Sequence, residues 1–337
     1  MQLPEHPNLR HLRDQAKDLV RTGAAPTPGD AQFQIARQYG FPSWPKLKQH
    51  VESLEQAGEL RQAISRNDLA RVDALLTANA ALRQVLIDDV PLQALAQPGR
   101  IPIMELLVRH GADVNGLCWG WFPVLFTPCE NLEPQPLRWL LNHGADPNRG
   151  NPKDPGTALD YVIQTYPRDP KRLTTCIEIL LAAGARTRYD VPGVLPLLRS
   201  RNDELAALLN ANPSLIHRRY PEFDSCGNSG GRLLTLRGAT LLHVAAEYGF
   251  QDAARLLLDR GADVNARADI DANGVGAQTP IFHALTHHNA RNSKVGQLLI
   301  DRGADLSVRA RVPGHYERPG QILDVSASEY GALFPLR

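Results

Sequence analysis

The sequence is poor in the features typical of metal, redox and membrane proteins. It has 4 cysteines in 337 residues, and none of them forms the CxxC pair that is common in zinc and dithiol sites. No apolar run approaches the roughly 20 residues that a membrane-spanning helix requires. The N-terminal residues lack the apolar core of a secretory signal peptide. These absences predict a cytoplasmic protein with reduced thiols and no membrane contact.

Catalytic and nucleotide-binding motifs are also lacking. The sequence contains no nucleophile elbow, no phosphate-binding glycine loop and no HExxH helix. The segment GNSGG, residues 227–231, is not followed by the GK[ST] motif and helix of a phosphate loop. We therefore expect a protein that is not an enzyme and needs no metal or other cofactor.

Neither sign of charge dominates the chain, which has 37 basic and 36 acidic residues. Such a balance gives no bulk attraction for nucleic acid or for an anionic membrane. We therefore expect neither nucleic acid nor a membrane as a partner, and the chain is expected to be a monomer.

One stretch is highly regular, and variants of it recur along the chain. Residues 240–265 read TLLHVAAEYGFQDAARLLLDRGADVN, in which Thr240 offers an N-cap hydroxyl to a first helix. Gly249 and Gly261 tolerate the left-handed backbone that ends the first and second helices. One such helix pair cannot bury its own apolar face, so neighbouring pairs are required.

The end of each second helix marks the repeats. A glycine is predicted in left-handed geometry at Gly111, Gly144, Gly184, Gly261 and Gly303. In two degenerate units the same place is held by Asn79 and Asn212, because asparagine is the next most tolerant residue. Successive markers are 28 to 49 residues apart.

These motifs resemble ankyrin repeats, whose period is about 33 residues. The resemblance implies an all-α solenoid of helix pairs with β-hairpin or loop fingers, in about seven repeats plus a terminal half repeat. We expect residues 58–337 to form this repeat domain and residues 1–57 to form a helical cap, which resembles the leader of some bacterial ankyrin proteins. A long hairpin insertion is expected at residues 217–238.

The resemblance also suggests roles for histidines and aspartates at the start of first helices. His243 stands where the family's TPLH motif has its histidine, which implies hydrogen bonds to neighbouring turns rather than catalysis. Asp160 and Asp324 hold the equivalent place elsewhere and are expected to be helix-start or turn partners.

The family resemblance implies a non-enzymatic protein–protein interaction module that binds through a concave face and hairpin tips. Trp119 and Trp121 flank a glycine at one predicted tip, and exposed aromatic side chains are frequent binding anchors. The further candidates lie on first helices of the concave face or in the long finger: Phe126, Tyr161, Tyr220, Phe223, Glu247, Tyr248, His283 and His287.

Two alternatives remain open. The groove could hold a small-molecule enzyme or sensor site, with Tyr161, Tyr248 and His283 as acid–base groups and the 217–238 finger as a lid. His283 and His287 are four residues apart on a predicted helix and could hold a metal, although a solvated polar face explains that spacing better. A deep polar pocket beneath the finger favours the enzyme, whereas an open groove with aromatic side chains favours protein binding.

Overall fold

Helices dominate the computed structural model, and its strands are few and short, which confirms the predicted mostly helical class. The structure describes residues 2–4, 7–79, 82, 99–118, 120–150, 156–163, 169–221, 223, 226–229, 232–285, 290–314, 318 and 320–333. The chain divides into two compact units, Met1–Leu95 with Gly99–Trp119, and Ala96–Pro98 with Gly120–Arg337.

The first unit is a series of helices with polar side chains at their starts. Asn8 accepts from the Arg10 N–H at 2.7 Å and Asp68 accepts from the Arg71 N–H at 3.0 Å, so both act as N-caps. Ser43 occupies the cap position of the third helix but makes no side-chain cap bond. The elements are α1 (Leu9–Arg21), α2 (Pro28–Gln38), α3 (Trp44–Ser65), α4 (Leu69–Ala78), α5 (Ile101–Arg109) and β1 (Leu117–Cys118).

Helix α3 contributes to both apolar cores of this unit. Its first half, with Leu47 and Val51, packs in the cluster formed with α1 and α2. Its second half, with Leu60 and Ile64, packs in the cluster formed with α4 and α5. The predicted boundary between residues 57 and 58 therefore lies inside one continuous helix, and the division into cap and repeat domain stays a prediction.

The second unit alternates short helices with hairpin segments. Its helices are α6 (Phe126–Glu130), α7 (Pro134–Asn142), α8 (Ala158–Ile163), α9 (Pro170–Ala182), α10 (Val194–Leu198), α11 (Asn202–Ala211), α12 (Leu241–Tyr248), α13 (Gln251–Asp259), α14 (Pro280–Ala284), α15 (Ala290–Asp301) and α16 (Ala327–Leu333), with a 3₁₀ turn at Pro213–Ile216. Its strands are β2 (Phe122–Pro123), β3 (Cys226–Ser229), β4 (Arg232–Thr235), β5 (Arg309–Pro313) and β6 (Ile322–Ser326).

First and second helices differ in burial. All eight residues of α12 are buried, as expected for a helix enclosed on every side. Helix α13 buries only Ala253, Ala254 and Leu257, so its remaining positions can be polar. This difference makes α12 an inner helix and α13 an outer helix of the pair.

The glycine markers have the predicted backbone. All five glycines that mark the ends of second helices have φ between 82° and 103°. The prediction for the two asparagines is wrong, because Asn79 has φ −138° and Asn212 has φ −139°, which is extended backbone. In both degenerate units the left-handed residue comes earlier, at Asn67 (φ 58°) and Ser200 (φ 57°), where the first helix of the pair ends.

Antiparallel hairpins project from the second unit. Within 217–238, β3 pairs with β4, with Cys226 opposite Thr235. Further along the chain β5 pairs with β6, with Arg309 opposite Ser326. Single bridges add Tyr220 to Ala239, Ile270 to Gly276 and Gly276 to Arg311. The bridge between Gly276 and Arg311 joins the finger at residues 270–276 to strand β5.

The C-terminal helix begins later than predicted. Asp324 and Val325 lie in strand β6, and the cap of α16 is formed by Ser326 and Glu329. The Ser326 N–H donates to Glu329 Oε2 at 2.6 Å, and the Glu329 N–H donates to Ser326 Oγ at 3.2 Å. This is the reciprocal capping box that the sequence SASE encodes, and it corrects the expected role of Asp324.

None of the helices in the described residues is long and apolar enough to span a bilayer.

Candidate functional site

His243 connects one helix pair to the next finger. Its Nδ1 accepts from the Thr240 N–H at 3.1 Å and lies 2.9 Å from the Thr240 hydroxyl. Its Nε2 lies 3.0 Å from the Gln278 carbonyl oxygen, to which it donates. Both bonds require the neutral ring with the proton on Nε2. Burial lowers the pKa of His243 to about 3, with the neighbouring His283 contributing in the same direction, so the imidazole is a structural bridge.

Asp160 performs the same role with a carboxylate. It accepts from the Thr157 N–H at 2.9 Å and from the Arg188 N–H at 3.1 Å. Thr157 and Asp160 therefore close a capping box at α8, and Arg188 belongs to the following finger. The predicted helix-start role of Asp160 is confirmed.

The asparagine of the GADxN motif also links neighbours. Asn265 Nδ2 donates to the Gly303 carbonyl at 3.2 Å, and its Oδ1 accepts from the Asp305 N–H at 2.8 Å. Asn148 makes the corresponding bonds to the Gly184 carbonyl and the Arg186 N–H. The motif is thus a turn former and a connection between successive helix pairs.

Several predicted binding residues lie inside the protein. Glu247 Oε2 and His283 Nδ1 are 2.6 Å apart, and neither side chain has exposed surface. The Tyr248 hydroxyl is buried and donates to the Ile163 carbonyl at 3.0 Å. The expected exposure of these side chains on a groove is wrong, because helices α12 and α14 are enclosed by their neighbours. Their role in binding stays a prediction.

The base of the long finger is buried as well. Tyr220 has no exposed surface, and its hydroxyl donates to the Pro192 carbonyl at 2.5 Å. Phe223 is 2% exposed, with its ring centroid 5.7 Å from that of Tyr220. These two aromatic side chains therefore pack in the core at the base of the finger and are not exposed to solvent.

The thiols are structural where the structure describes them. Cys118, Cys129 and Cys176 are buried and not bonded to one another. Burial raises the pKa of Cys176 to about 12 and the pKa of Cys129 well above its usual range. Both thiols stay protonated at neutral pH, which makes them poor nucleophiles.

The predicted metal pair is described only in part. Among the residues that the structure describes, no group of three or more His, Cys, Asp or Glu side chains is placed to hold a metal ion. His287 lies outside the described residues, so the pair it forms with His283 stays a hypothesis.

Four aromatic side chains form one cluster at the start of the second unit. Phe126 stacks on Tyr161 with centroids 4.7 Å apart and an interplanar angle of 24°. Phe122 contacts both rings edge-on at 5.8 Å, and Trp121 lies 5.5 Å from Phe122. Phe122 and Phe126 are buried, at 7% and 2% exposure, whereas Trp121 and Tyr161 are half-buried. We call these four residues the aromatic cluster.

The aromatic cluster has a buried base and a half-buried outer part. Its two phenylalanines form a fixed base, because they pack in the core on strand β2 and helix α6. Trp121 and Tyr161 rest on that base and keep exposed surface. Their role in binding stays a prediction. The other predicted tryptophan, Trp119, lies outside the described residues.

Comparison with known proteins identifies the repeats. Residues 205–310 match the family model described as ankyrin repeats, in three copies. The resemblance predicted from the sequence is therefore confirmed.

Individual relatives are distant and longer. The chain is 29% identical over 201 residues to E3 ubiquitin-protein ligase XBAT32 of Arabidopsis thaliana, covering 58% of this chain and 35% of that protein. It is 30% identical over 133 residues to Ankyrin repeat protein nuc-2 of Neurospora crassa, covering 37% and 11%. The human ASB11 ankyrin repeat domain aligns with 73% of this chain and 98% of its own at 19% identity, with a TM-score of 0.38. This chain thus spans about a third or less of these two curated relatives, both of which are eukaryotic.

Proposed function

From the ankyrin repeats of residues 205–310, we propose that this chain is a non-enzymatic module that binds a protein or peptide partner. Repeats of this family generally mediate protein–protein interaction, because stacking of helix pairs creates an extended, preformed surface. We further propose about seven repeats plus a terminal half repeat, and a monomer in the cytoplasm. The ligase activity named for the Arabidopsis relative belongs to a protein of which this chain covers 35%.

The aromatic cluster is the observation that supports a contact site. Tyrosine and tryptophan dominate the energetics of protein interfaces because they offer a large contact area and lose little conformational freedom. Trp121 and Tyr161 are half-buried, and the stacking of Phe126 on Tyr161 holds the latter ring in place. A partner that covers them gains apolar burial without first having to order them.

The alternative of a small-molecule enzyme or sensor finds no support in the geometry. A general acid or base must reach its substrate within hydrogen-bond distance. Tyr248 and His283 are buried, and both already engage other groups in the core. We therefore keep protein binding as the proposed function.

Affinity capture tests the proposal. Tagged wild-type protein, Trp121→Ala and Tyr161→Ala are incubated with extract of the native organism, and bound proteins are identified by mass spectrometry. We expect a partner that the wild type recovers and both variants lose, with unchanged helical circular dichroism. Phe33→Ala removes an aromatic side chain that is 53% exposed in the first unit and serves as the matched control. Equal recovery by wild type and both variants contradicts the proposed contact site.

A further inference from the structure

Strand β6 pairs along only one of its two edges within the residues that the structure describes. It runs antiparallel to β5, with Ile322 opposite Pro313. Strand β5 also uses its other edge, since its Arg311 forms a bridge with Gly276 of the preceding finger. We call the edge of β6 that faces away from β5 the outer edge. It is the position that a further strand would take in the same series of pairings.

The hydrogen bonds of the hairpin show which backbone groups lie on the outer edge. The Gly314 N–H donates to the Gln321 carbonyl at 3.0 Å, so these opposed residues form a hydrogen-bonded pair. Such pairs alternate with unbonded pairs along an antiparallel ladder, and Leu323 and Val325 are therefore the residues that bond to β5. The residues whose N–H and C=O groups point to the outer edge are Ile322, Asp324 and Ser326.

Two further contacts agree with this alternation. The carbonyl of Arg311, which lies opposite Asp324, points away from β6, because it accepts from the Gly276 N–H at 2.7 Å. The Ser326 N–H points away from β5, because it donates to Glu329 Oε2 at 2.6 Å. Contacts on both strands thus give the same direction for the groups of the outer edge.

Side chains cover one end of the outer edge. The Ser326 N–H is bonded to Glu329, and the Asp324 carbonyl accepts from Arg309 Nη2 at 2.5 Å. Arg309 also donates to Asp324 Oδ1 and to Glu329 Oε2, so two carboxylates hold it in this position. Charged side chains commonly protect edge strands against pairing. Here that protection reaches the Asp324 carbonyl.

The other end of the outer edge, around Ile322, has no such cover. The Ile322 N–H, the Ile322 carbonyl and the Asp324 N–H have no hydrogen-bond partner in the described part of the chain. Both residues are exposed, and the Ile322 side chain adds apolar surface, since Ile322 is 42% exposed. The open end therefore offers two donors and one acceptor beside an aliphatic side chain.

This arrangement of groups matches an extended peptide. A strand presents N–H and C=O groups at the spacing of the outer edge, and peptide recognition by strand addition uses these main-chain bonds for affinity. A helix bonds its N–H and C=O groups internally and cannot supply them. Every second side chain of an added strand lies on one face, so an apolar side chain beside Ile322 becomes buried.

We propose that the outer edge of β6 binds an extended segment of a protein partner as an added strand, through the Ile322 N–H and carbonyl and the Asp324 N–H. An apolar side chain of that segment covers Ile322. This inference rests on the proposed function, because it names the conformation of a partner segment that the module binds. It also continues the pairing that already joins β5 to the preceding finger.

A second copy of this chain fits the outer edge less well. Antiparallel pairing of Ile322 with Asp324 of the copy requires the Asp324 carbonyl, which already accepts from Arg309. Pairing of Ile322 with Ile322 of the copy places Asp324 opposite Gly320, whose φ of +81° lies outside the extended region. An unrelated extended segment meets neither obstacle.

Amide hydrogen exchange measured by NMR tests the inference. The probe is a capped peptide of alternating Val and Thr with Lys at both ends, and the control probe has the same side chains with an N-methyl group on every Val and Thr. In the free protein we expect slow exchange at Leu323 and Val325 and fast exchange at Ile322 and Asp324. Saturation with the probe should slow exchange at Ile322 and Asp324 about tenfold or more, whereas the methylated probe should have no effect.

A variant of β6 gives a second test. Ile322→Pro removes the outward N–H and leaves the bonds to β5 intact, as prolines in edge strands do. We expect it to raise the Kd of the probe about fivefold or more. Ile322→Val keeps the N–H and is the matched control, with an unchanged Kd. The methylated probe requires no change in the protein, so the test does not depend on the folding of Ile322→Pro.

Three outcomes overturn the inference. They are unchanged exchange at Ile322 and Asp324 in the presence of the probe, equal binding of the methylated probe, and a wild-type dimer in sedimentation that Ile322→Pro abolishes. The last result identifies a second copy of the chain as the occupant of the outer edge.

The result is separable from the proposed function. Trp121→Ala leaves β5 and β6 unchanged in sequence and must bind the probe with wild-type Kd. If Trp121→Ala loses the captured partner while the probe does not protect β6, the proposed function stands and the strand inference fails. If the probe protects β6 while Trp121→Ala and Tyr161→Ala capture the partner as the wild type does, the strand inference stands and the aromatic contact site fails.

Discussion

The carboxylate of Glu247 lies 2.6 Å from Nδ1 of His283, and both side chains are completely buried. Glu247 belongs to helix α12 and His283 to helix α14, which are the inner helices of successive pairs. The contact is therefore a polar link inside the repeat stack. It explains why a glutamate and a histidine occur on helices that are otherwise apolar, because buried polar groups require hydrogen-bond partners.

Removing Glu247 is expected to destabilise the second unit strongly. Glu247→Ala leaves the His283 imidazole buried beside a cavity and costs about 3 to 5 kcal/mol of unfolding free energy, whereas Glu247→Gln retains an acceptor and costs less. Urea unfolding measures both. Asp259→Ala is the control, because it removes an ion pair to Arg302 in which Asp259 is 54% exposed, and it is expected to cost less than about 1 kcal/mol. Equal losses for Glu247→Ala and Asp259→Ala contradict the account.

The lowered pKa of His243 predicts how the stability of the fold depends on pH. The folded pKa is lowered to about 3, whereas the unfolded value is about 6.5. Between these values the unfolded chain binds a proton that the folded chain does not, so stability falls as pH falls from about 6.5 to about 3, by roughly 1.4 kcal/mol per unit. His243→Gln keeps a donor and an acceptor but has no group that titrates in this range. The difference in unfolding free energy between the wild type and His243→Gln, measured with urea at each pH, should therefore shrink as the pH falls. If the unfolding free energies of the two proteins depend on pH in the same way, His243 is not a neutral, buried group.

Substitution of two glycines with positive φ distinguishes the cost of backbone strain from the cost of a steric clash. Gly261 has φ +89° and open space where a Cβ atom would lie, whereas at Gly276, with φ +136°, a Cβ atom would lie 2.0 Å from the Asp269 carbonyl oxygen. Gly261→Ala should cost about 1 to 2 kcal/mol, from left-handed strain alone. Gly276→Ala should cost clearly more, because the finger backbone must move. Thermal unfolding measures the loss of stability in both variants. A smaller loss for Gly276→Ala than for Gly261→Ala contradicts this expectation.

The asparagine links are testable by truncation. Asn265→Ala removes the bonds to the Gly303 carbonyl and the Asp305 N–H and should cost about 1 to 2 kcal/mol. Asn273→Ala is the matched control, since the Asn273 backbone N–H, which the substitution retains, makes its bond to Asp271, and a change within about 0.5 kcal/mol is expected. Chemical denaturation measures both losses. A larger loss of unfolding free energy for Asn273→Ala than for Asn265→Ala contradicts the proposed connecting role.

The sequence predicts the repeat geometry well where one residue determines the backbone. The glycine at each second-helix end has left-handed φ, and Thr240 begins α12, because these roles depend on local chemistry. The predictions for Asn79 and Asn212 are wrong for a related reason: asparagine tolerates left-handed geometry without requiring it. The structure places that geometry at Asn67 and Ser200 instead.

The site could be predicted only in part. Trp121 and Tyr161 keep exposed surface, as a contact role requires, whereas Glu247, Tyr248 and His283 are enclosed. Which side of a short inner helix stays open depends on its neighbours and on the fingers, and residue spacing within one repeat does not contain that information.

The most direct test of the account is the affinity of the captured partner for wild-type protein and for Trp121→Ala, measured by isothermal titration calorimetry. We predict a rise in Kd of about tenfold or more for Trp121→Ala, equivalent to about 1.4 kcal/mol, with Phe33→Ala indistinguishable from wild type. An unchanged Kd for Trp121→Ala, in a protein with wild-type thermal stability, contradicts the claim that the aromatic cluster binds the partner.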